Sequence, residues 1–271
     1  MLPFLNILGV KIPTYGICLI IGIFLSSLMA YHSIKKDKTI TKEKVPPEYL
    51  LIILVICIFA FIVGARLLFI LVTYDISYIV EQISKPNLSF ITQNSGMVFY
   101  GGLIFGIIGA LIAAHFTKID LLEIERHIVP YIPLGHAIGR IGCLLGGCCY
   151  GMRYSGFGAV YYKHSVIGLP PDVGFFPVQP LEALLDIFIM FIMLTYTKKT
   201  RPKGNVLSFY LLLYAIMRFI TELFRGDSFR GIFSGFSTSQ WISIGLIVFF
   251  FTRLTILRIC KKGQIKHTDF S

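Results

Sequence analysis

Seven apolar runs constrain this chain more than any other feature. They cover residues 15–31, 50–72, 97–116, 128–145, 180–196, 206–224 and 241–257. Each has about 17–23 residues, enough for a helix rising 1.5 Å per residue to cross a hydrocarbon core of about 30 Å. The composition agrees: 55% of the residues are hydrophobic and 14% charged, against roughly 45–50% and 25% in soluble domains. That balance excludes a disordered chain, a coiled coil and a small disulfide scaffold. It also argues against a soluble enzyme, because a chain this short cannot bury so much apolar surface. The expected fold class is an all-α polytopic membrane protein with seven transmembrane helices. The fourth run holds Pro130, Pro133, His136 and Arg140, so it is expected to be broken or tilted. The first run reads as a retained span: no basic stretch precedes it and no small-residue cleavage site follows it.

The formal charge of +11 comes from 25 Lys and Arg against 14 Asp and Glu. In a membrane protein such an excess is first tested as topology. The loops after runs one, three and five, with the tail after run seven, hold fifteen of the basic residues. The opposite loops hold six: Lys11, Lys85, Arg153, Lys163, Arg225 and Arg230. The positive-inside rule then puts the N-terminus outside and the C-terminus in the cytoplasm. The charge is spent on orientation and contact with anionic lipid headgroups, and no nucleic acid is called for. With no fixed repeat and no long linker, residues 1–271 read as one integral membrane domain. It carries an extracytoplasmic arm at 74–96 and an extracytoplasmic head at 146–178. The head is rich in Gly, Tyr and Pro, contains the turn signal Pro170-Pro171-Asp172, and is expected to hold short strands.

An ionisable group inside a span costs about 2.5–3.5 kcal/mol on insertion scales, so each one marks a candidate site. With this orientation nearly all of them fall in the outer half of the bilayer. Arg66 lies in the outer half of run two, and Arg140 outward of the middle of run four. Arg218 and Glu222 lie late in run six, one turn apart on one helix face. Gln179 and Glu182 sit at the outer start of run five with Asp186 about one turn below, and Tyr15 and Tyr100 lie at the outer ends of runs one and three. Arginines in that leaflet can neutralise a phospholipid phosphate through bidentate hydrogen bonds. The bland alternatives are a structural Arg218–Glu222 pair and an Arg66 that snorkels to the surface. Arg253 has no partner that the sequence names.

The segment Gly139-Arg140-Ile141-Gly142-Cys143-Leu144-Leu145-Gly146-Gly147-Cys148-Cys149-Tyr150-Gly151 is glycine-rich, which permits close approach of a backbone or a lipid. Of the six cysteines, Cys18 and Cys57 read as small apolar residues and Cys260 as cytoplasmic. Cys143, Cys148 and Cys149 read as packing residues, or as two that bridge. Their spacing matches no zinc pattern, so no metal and no cofactor are expected.

Taken in order, the motifs resemble those of the prolipoprotein diacylglyceryl transferase family over nearly the whole chain. Pro13-Thr14-Tyr15-Gly16 resembles the family's start of span one, and Gly64-Ala65-Arg66 its Gly-x-Arg. Ser95-Gly96-Met97-Val98-Phe99-Tyr100-Gly101-Gly102-Leu103 resembles its Gly-Gly-Leu segment. Gly139-Arg140-Ile141-Gly142 resembles the opening of its signature, which Tyr150-Gly151 closes. Pro177-Val178-Gln179-Pro180-Leu181-Glu182 resembles its Pro-x-Gln-x-x-Glu. The run from Tyr214 through Arg218-Phe219 and Glu222 to Arg225 is similar to its Tyr-x-x-x-Arg-Phe-x-x-Glu-x-x-Arg, and Ser239-Gln240 to the start of its last span. Two positions depart from the pattern. The family commonly has His where this chain has Tyr100, and its signature continues with Asn and Glu where this chain has the Cys-rich run.

The resemblance implies transfer of a diacylglyceryl group from phosphatidylglycerol to the lipobox cysteine of a prolipoprotein signal peptide, at a bacterial inner membrane, with release of glycerol phosphate and no cofactor. It assigns Arg140 and Arg218 to the phosphate and Glu222 to orienting Arg218. Tyr100 or Glu182 would accept the thiol proton. Tyr15, Arg66, Gly101, Gly102, Gly139, Gly142, Gln179, Tyr214 and Arg225 would line the substrate site. The departures leave open a diverged paralogue that transfers a lipid-derived group to another acceptor. Two further classes remain: a non-catalytic lipid-binding or transport protein, and a thiol-redox membrane enzyme working through Cys143, Cys148 or Cys149.

Overall fold

The computed structural model describes residues 2–7, 10–37, 47–83, 99–119, 121–200, 205–226 and 232–268. The side chains at 99 and 100 lie outside that description, so Tyr100 is placed only as a helix position. The Lys85-Pro86-Asn87 and Gln93-Asn94-Ser95 parts of the expected arm also lie outside it.

In chain order the elements are strands β1 (Phe4–Ile7) and β2 (Val10–Pro13), then helices α1 (Thr14–Lys36), α2 (Pro47–Thr73), α3 (Ile76–Ile83), α4 (Phe99–Thr117) and α5 (Leu121–Ile128). A 3₁₀ turn (Val129–Tyr131) leads into α6 (Ile132–Gly146), followed by β3 (Val160–Tyr161), β4 (Gly174–Phe175), α7 (Val178–Thr200) and α8 (Val206–Glu222). The chain closes with β5 (Ile232–Phe233), β6 (Phe236–Ser237) and α9 (Thr238–Thr268). The described residues are thus mostly helical, with three short antiparallel strand pairs among them, β1–β2, β3–β4 and β5–β6. The β3–β4 pair lies in the head, where short strands were expected. The other two pairs carry too few residues to show a period in sequence.

Among the described residues the apolar runs are mostly helical, with the fourth divided between the end of α5, the 3₁₀ turn and α6. Among the described residues, four stretches are long and apolar enough to cross a membrane: Thr14–Lys36, Leu51–Thr73, Glu125–Gly146 and Val178–Lys199. The fourth run is interrupted as its prolines required. Pro130 and Pro133 cannot donate to an α-helical ladder, and the chain passes through the 3₁₀ turn before α6 resumes.

The chain divides into two compact units, residues 1–30 with 125–271 and residues 31–124. The second is centred on α2 against α4. Their backbones meet where Gly64 faces Gly101: a Cβ on Gly101 would lie 2.3 Å from the Gly64 carbonyl. Gly102 presses on the Phe61 ring. These contacts follow the small-residue rule for helices that pack without a hydrophobic driving force.

In the first unit α7 and α8 pack with the 3₁₀ turn around a core of Val129, Ile189, Met193, Val206, Tyr210 and Met217. The start of α8 is capped from far away in sequence. The Glu125 carboxylate accepts the Val206 N–H at 3.4 Å and the Leu207 N–H at 3.3 Å. It satisfies two free donors at a helix N-terminus, where negative charge is favoured. Helix α1 approaches α6 closely enough that a Cβ on Gly142 would lie 2.8 Å from Cys18 Cβ.

Candidate active site

Three helices of the first unit each contribute residues four positions apart, so each presents two polar side chains on one face. α6 offers His136 and Arg140, α7 offers Glu182 and Asp186, and α8 offers Tyr214 and Arg218, with Glu222 a further turn on. The six residues form two polar levels in an otherwise apolar bundle.

Glu182 is the hub of the upper level and is fully buried. Its Oε1 accepts from Arg218 Nη1 at 2.7 Å and from the Thr221 hydroxyl at 3.2 Å. Its Oε2 faces Arg140 Nε at 3.0 Å, and Arg225 Nη1 lies 3.6 Å from Oε1. The Arg140 and Arg225 contacts are ion pairs without hydrogen-bond alignment. Arg218 also reaches Glu222 at 2.5 Å through Nη2, which donates to Ser239 at 3.3 Å as well. Three guanidinium groups therefore converge on two carboxylates. A charge buried this deeply persists only when paired.

The three arginines are not equally placed. The Arg140 side chain is 18% exposed, that of Arg218 8% and that of Arg225 2%. Arg140 also meets Glu182 through Nε, the nitrogen that a two-pronged grip by the terminal amino groups does not need. Both terminal nitrogens of Arg218 are directed at protein oxygens. Arg140 is the member of the cluster best placed to take an outside anion.

The lower level joins Tyr214, an expected site residue, to His136 and Asp186, to which the sequence assigns no role. His136 lies against the Tyr214 ring, with centroids 5.2 Å apart. Asp186 is buried one turn from Glu182, and neither of its carboxylate oxygens has a hydrogen-bond partner among the described residues. Thr221 and Ser239 also join the cluster unannounced. The signal for His136 and Asp186 was present, since each stands four residues from a residue already singled out. Ser239 carried only its place in the Ser239-Gln240 motif, and Thr221 carried none.

The head is fastened to the bundle beside this cluster. The Met152 N–H donates to the Phe224 carbonyl at 2.8 Å, the Gly226 N–H to that of Tyr150 at 3.1 Å, and the Phe176 N–H to that of Met152 at 2.9 Å. Residues 150–152 are thus laced between the end of α8 and the approach to α7. The lacing demands glycine: a Cβ on Gly151 would lie 2.3 Å from the Phe176 carbonyl, and one on Gly226 2.3 Å from that of Gly151. Phe176 stacks on Phe224, with centroids 4.9 Å apart. Gln179 is a tether. Its Nε2 donates to the Cys148 carbonyl at 2.9 Å and to the Tyr162 hydroxyl at 2.7 Å. Burial pushes the Tyr162 phenol up to about 12, so it stays a neutral partner.

Of the other expected residues, Tyr15 is exposed at the start of α1 and contacts the α6 backbone at Gly142. No atom would meet a Cβ on Gly139 within 4 Å, so open space lies beside the residue preceding Arg140. Arg66, Gly101 and Gly102 belong to the second unit, where Arg66 lies over the Phe69 ring at 5.2 Å. Three thiols, Cys143, Cys148 and Cys149, gather at the end of α6. Hydrogen bonds from the Cys143 and Cys148 thiols hold Cys149 well below the ordinary thiol range against the effect of burial, with Arg225 and Arg140 adding to the pull. Cys148 goes the other way. Its bond with Cys143 lowers it, but the bond with Cys149 and burial prevail, and it is pushed up to about 11.

Residues 3–256 match the model of the family described as prolipoprotein diacylglyceryl transferase. The chain belongs to that family. It is 31% identical over 244 residues to the phosphatidylglycerol–prolipoprotein diacylglyceryl transferase 2 of Clostridium perfringens, covering 90% of each chain. It is 32% identical to the Clostridium tetani transferase, covering 90% of this chain and 92% of that one. With the Finegoldia magna transferase the identity is 31% over 268 residues and 97% of both chains. This family member is therefore matched along 90–97% of its length to these bacterial transferases, and the arginine–glutamate cluster lies inside the matched region.

Proposed function

We propose that this chain transfers the diacylglyceryl group of phosphatidylglycerol to the lipobox cysteine thiol of prolipoproteins. In the reaction a C–S thioether bond forms at the glyceryl carbon. The C–O bond to phosphate breaks, glycerol phosphate leaves with the bonding electron pair, and the thiol gives up its proton. The observation that carries this reading is the arginine cluster on Glu182, with Arg140 the most accessible of the three. The leaving group is an anion, and preorganised cations in a water-poor site stabilise developing negative charge most effectively. Arg140 would grip the phosphate. Arg218 and Arg225 would add positive potential from behind, with Glu182 and Glu222 setting their positions. Tyr15, Gly139, Gly142, Gln179 and Tyr214 would shape the pocket. Glu182 or Asp186 would receive the thiol proton.

The accompanying topology is seven spans in one membrane domain, the N-terminus outside, the C-terminus cytoplasmic and the site toward the outer leaflet of the bacterial inner membrane. It is supported by the distribution of Lys and Arg and by the mostly helical structure of the apolar runs among the described residues. A lipid donor then enters sideways, and the acceptor cysteine arrives from the outer surface beside the head.

The test uses purified protein, phosphatidylglycerol vesicles and a lipobox peptide, with thioether product read by mass spectrometry. Product with the wild type, and a loss of at least about 100-fold in Arg140→Ala, is expected if that guanidinium stabilises the leaving phosphate. Full activity in Arg140→Ala would remove the phosphate role. Absence of thioether from the wild type would remove the reaction.

A further inference from the structure

The thiols at the end of α6 are not used by the transfer reaction. Cys143 lies in the last turn of α6, and Cys148 and Cys149 in the segment that follows. Their three Sγ atoms all lie within 4.8 Å of one another, and all three are free thiols. Three thiolates around one ion at about 2.3 Å stand roughly 3.8–4.0 Å apart. The cluster reaches that spacing by a contraction of about 1 Å or less at its widest pair.

The backbone accepts strain to bring the third sulfur in. Cys149 has a φ of 54°, a left-handed conformation that costs a residue with a Cβ about 1–2 kcal/mol. Glycine would make that turn without the cost, as Gly147 does at φ 68° where it caps α6.

Charge also suits the arrangement. Three thiolates around a divalent ion carry one net negative charge, and around a monovalent ion two. Arg140, a permanent cation, stands one turn before Cys143 on the same helix face. Among the described residues no fourth His, Cys, Asp or Glu joins the group. The donor set is therefore all sulfur with an open position, and soft thiolates select Zn(II) and Cu(I) over harder cations.

We propose that Cys143, Cys148 and Cys149 form a three-thiolate site for one thiophilic metal ion at the end of α6. On binding, the thiols still protonated release their protons to solvent and three metal–sulfur bonds form, with no redox change. The site is linked to the arginine cluster. Gln179 Nε2 donates to the Cys148 carbonyl at 2.9 Å, and Glu182 follows three residues later on the same helix. A bound ion would fix the segment to which Gln179 is tied and stiffen the mounting of Glu182.

The experiment uses the full chain in detergent, reduced, stripped with a chelator and titrated with Co2+. The expected result is thiolate-to-cobalt charge-transfer absorption that saturates at one ion per chain and is displaced by Zn2+. The absorption should vanish in Cys148→Ser/Cys149→Ser and persist in Cys18→Ser/Cys57→Ser. A second measurement needs no variant: one equivalent of Zn2+ should protect Cys143, Cys148 and Cys149 of the wild type from alkylation, read peptide by peptide, and leave Cys18 and Cys57 unprotected. No charge-transfer band at cobalt well above the protein concentration would overturn the site. So would an unchanged band in the double variant, or alkylation indifferent to Zn2+.

Discussion

Replacing Glu182 with Gln keeps the shape of the hub and removes its charge. The new Oε1 can still accept from Arg218 and Thr221. The new amide, however, faces Arg140 Nε where the carboxylate stood at 3.0 Å, donor against donor. At an effective dielectric of about 20, the three contacts at 2.7, 3.0 and 3.6 Å are each worth roughly 5–6 kcal/mol before desolvation. Desolvation takes back much of this, and removing one partner from a buried pair typically costs about 3–5 kcal/mol net. Glu222 stays with Arg218 at 2.5 Å, so the loss falls mainly on Arg140 and Arg225. By the scaling of globular chains, that amounts to a fall of about 6–20 °C in the unfolding midpoint, followed by circular dichroism in detergent. Glycerol phosphate should recover part of the loss, because an anion that binds only the folded state stabilises it by mass action. The variant should respond to that anion more strongly than the wild type. A midpoint within about a degree of wild type would refute Glu182 as the counter-ion of the cluster, and equal shifts with glycerol phosphate in both proteins would refute the anion site.

Gly151→Ala places a methyl 2.3 Å from the Phe176 carbonyl and should cost about 1–3 kcal/mol by overpacking. It should also make residues 147–178 easier to cleave in limited proteolysis; an unchanged midpoint and cleavage pattern would mean that the head is not held by this ladder. In metal-free protein, Cys149 should alkylate rapidly well below the ordinary thiol pKa of about 8.5, because its thiolate is favoured and the thiolate is the nucleophile. Cys148, pushed up to about 11, should lag until far more alkaline pH. Parallel labelling of the two across the same pH range would contradict that assignment.

Much of the site was readable from spacing along single helices. Arg218 and Glu222 stand four residues apart and do pair. The same rule, applied to Arg140 and Glu182, reaches back to His136 and forward to Asp186. Relations between helices were not readable. Glu222 was expected to orient Arg218, and it does contact it, but Glu182 is the carboxylate that gathers Arg140, Arg218 and Arg225. Arg253, for which the sequence named no partner, donates to Ser208. The Glu125 cap on α8 spans 81 residues of sequence. None of these pairings leaves a periodic trace, because each depends on how two helices are rotated against each other.

The sequence by itself determined the solvent this chain folds in, the order of its helices, the break ahead of α6 and the family to which it belongs. Those properties follow from local composition, proline chemistry and motifs read in order, and each is expressed within a few turns of chain. The tertiary structure alone decided which carboxylate holds the arginines, which arginine stays accessible and that three cysteines spread over seven residues share one point in space. Burial and charge pairing act between segments that the chain separates and only packing brings together. A buried charge is placed by whichever partner the fold delivers to it.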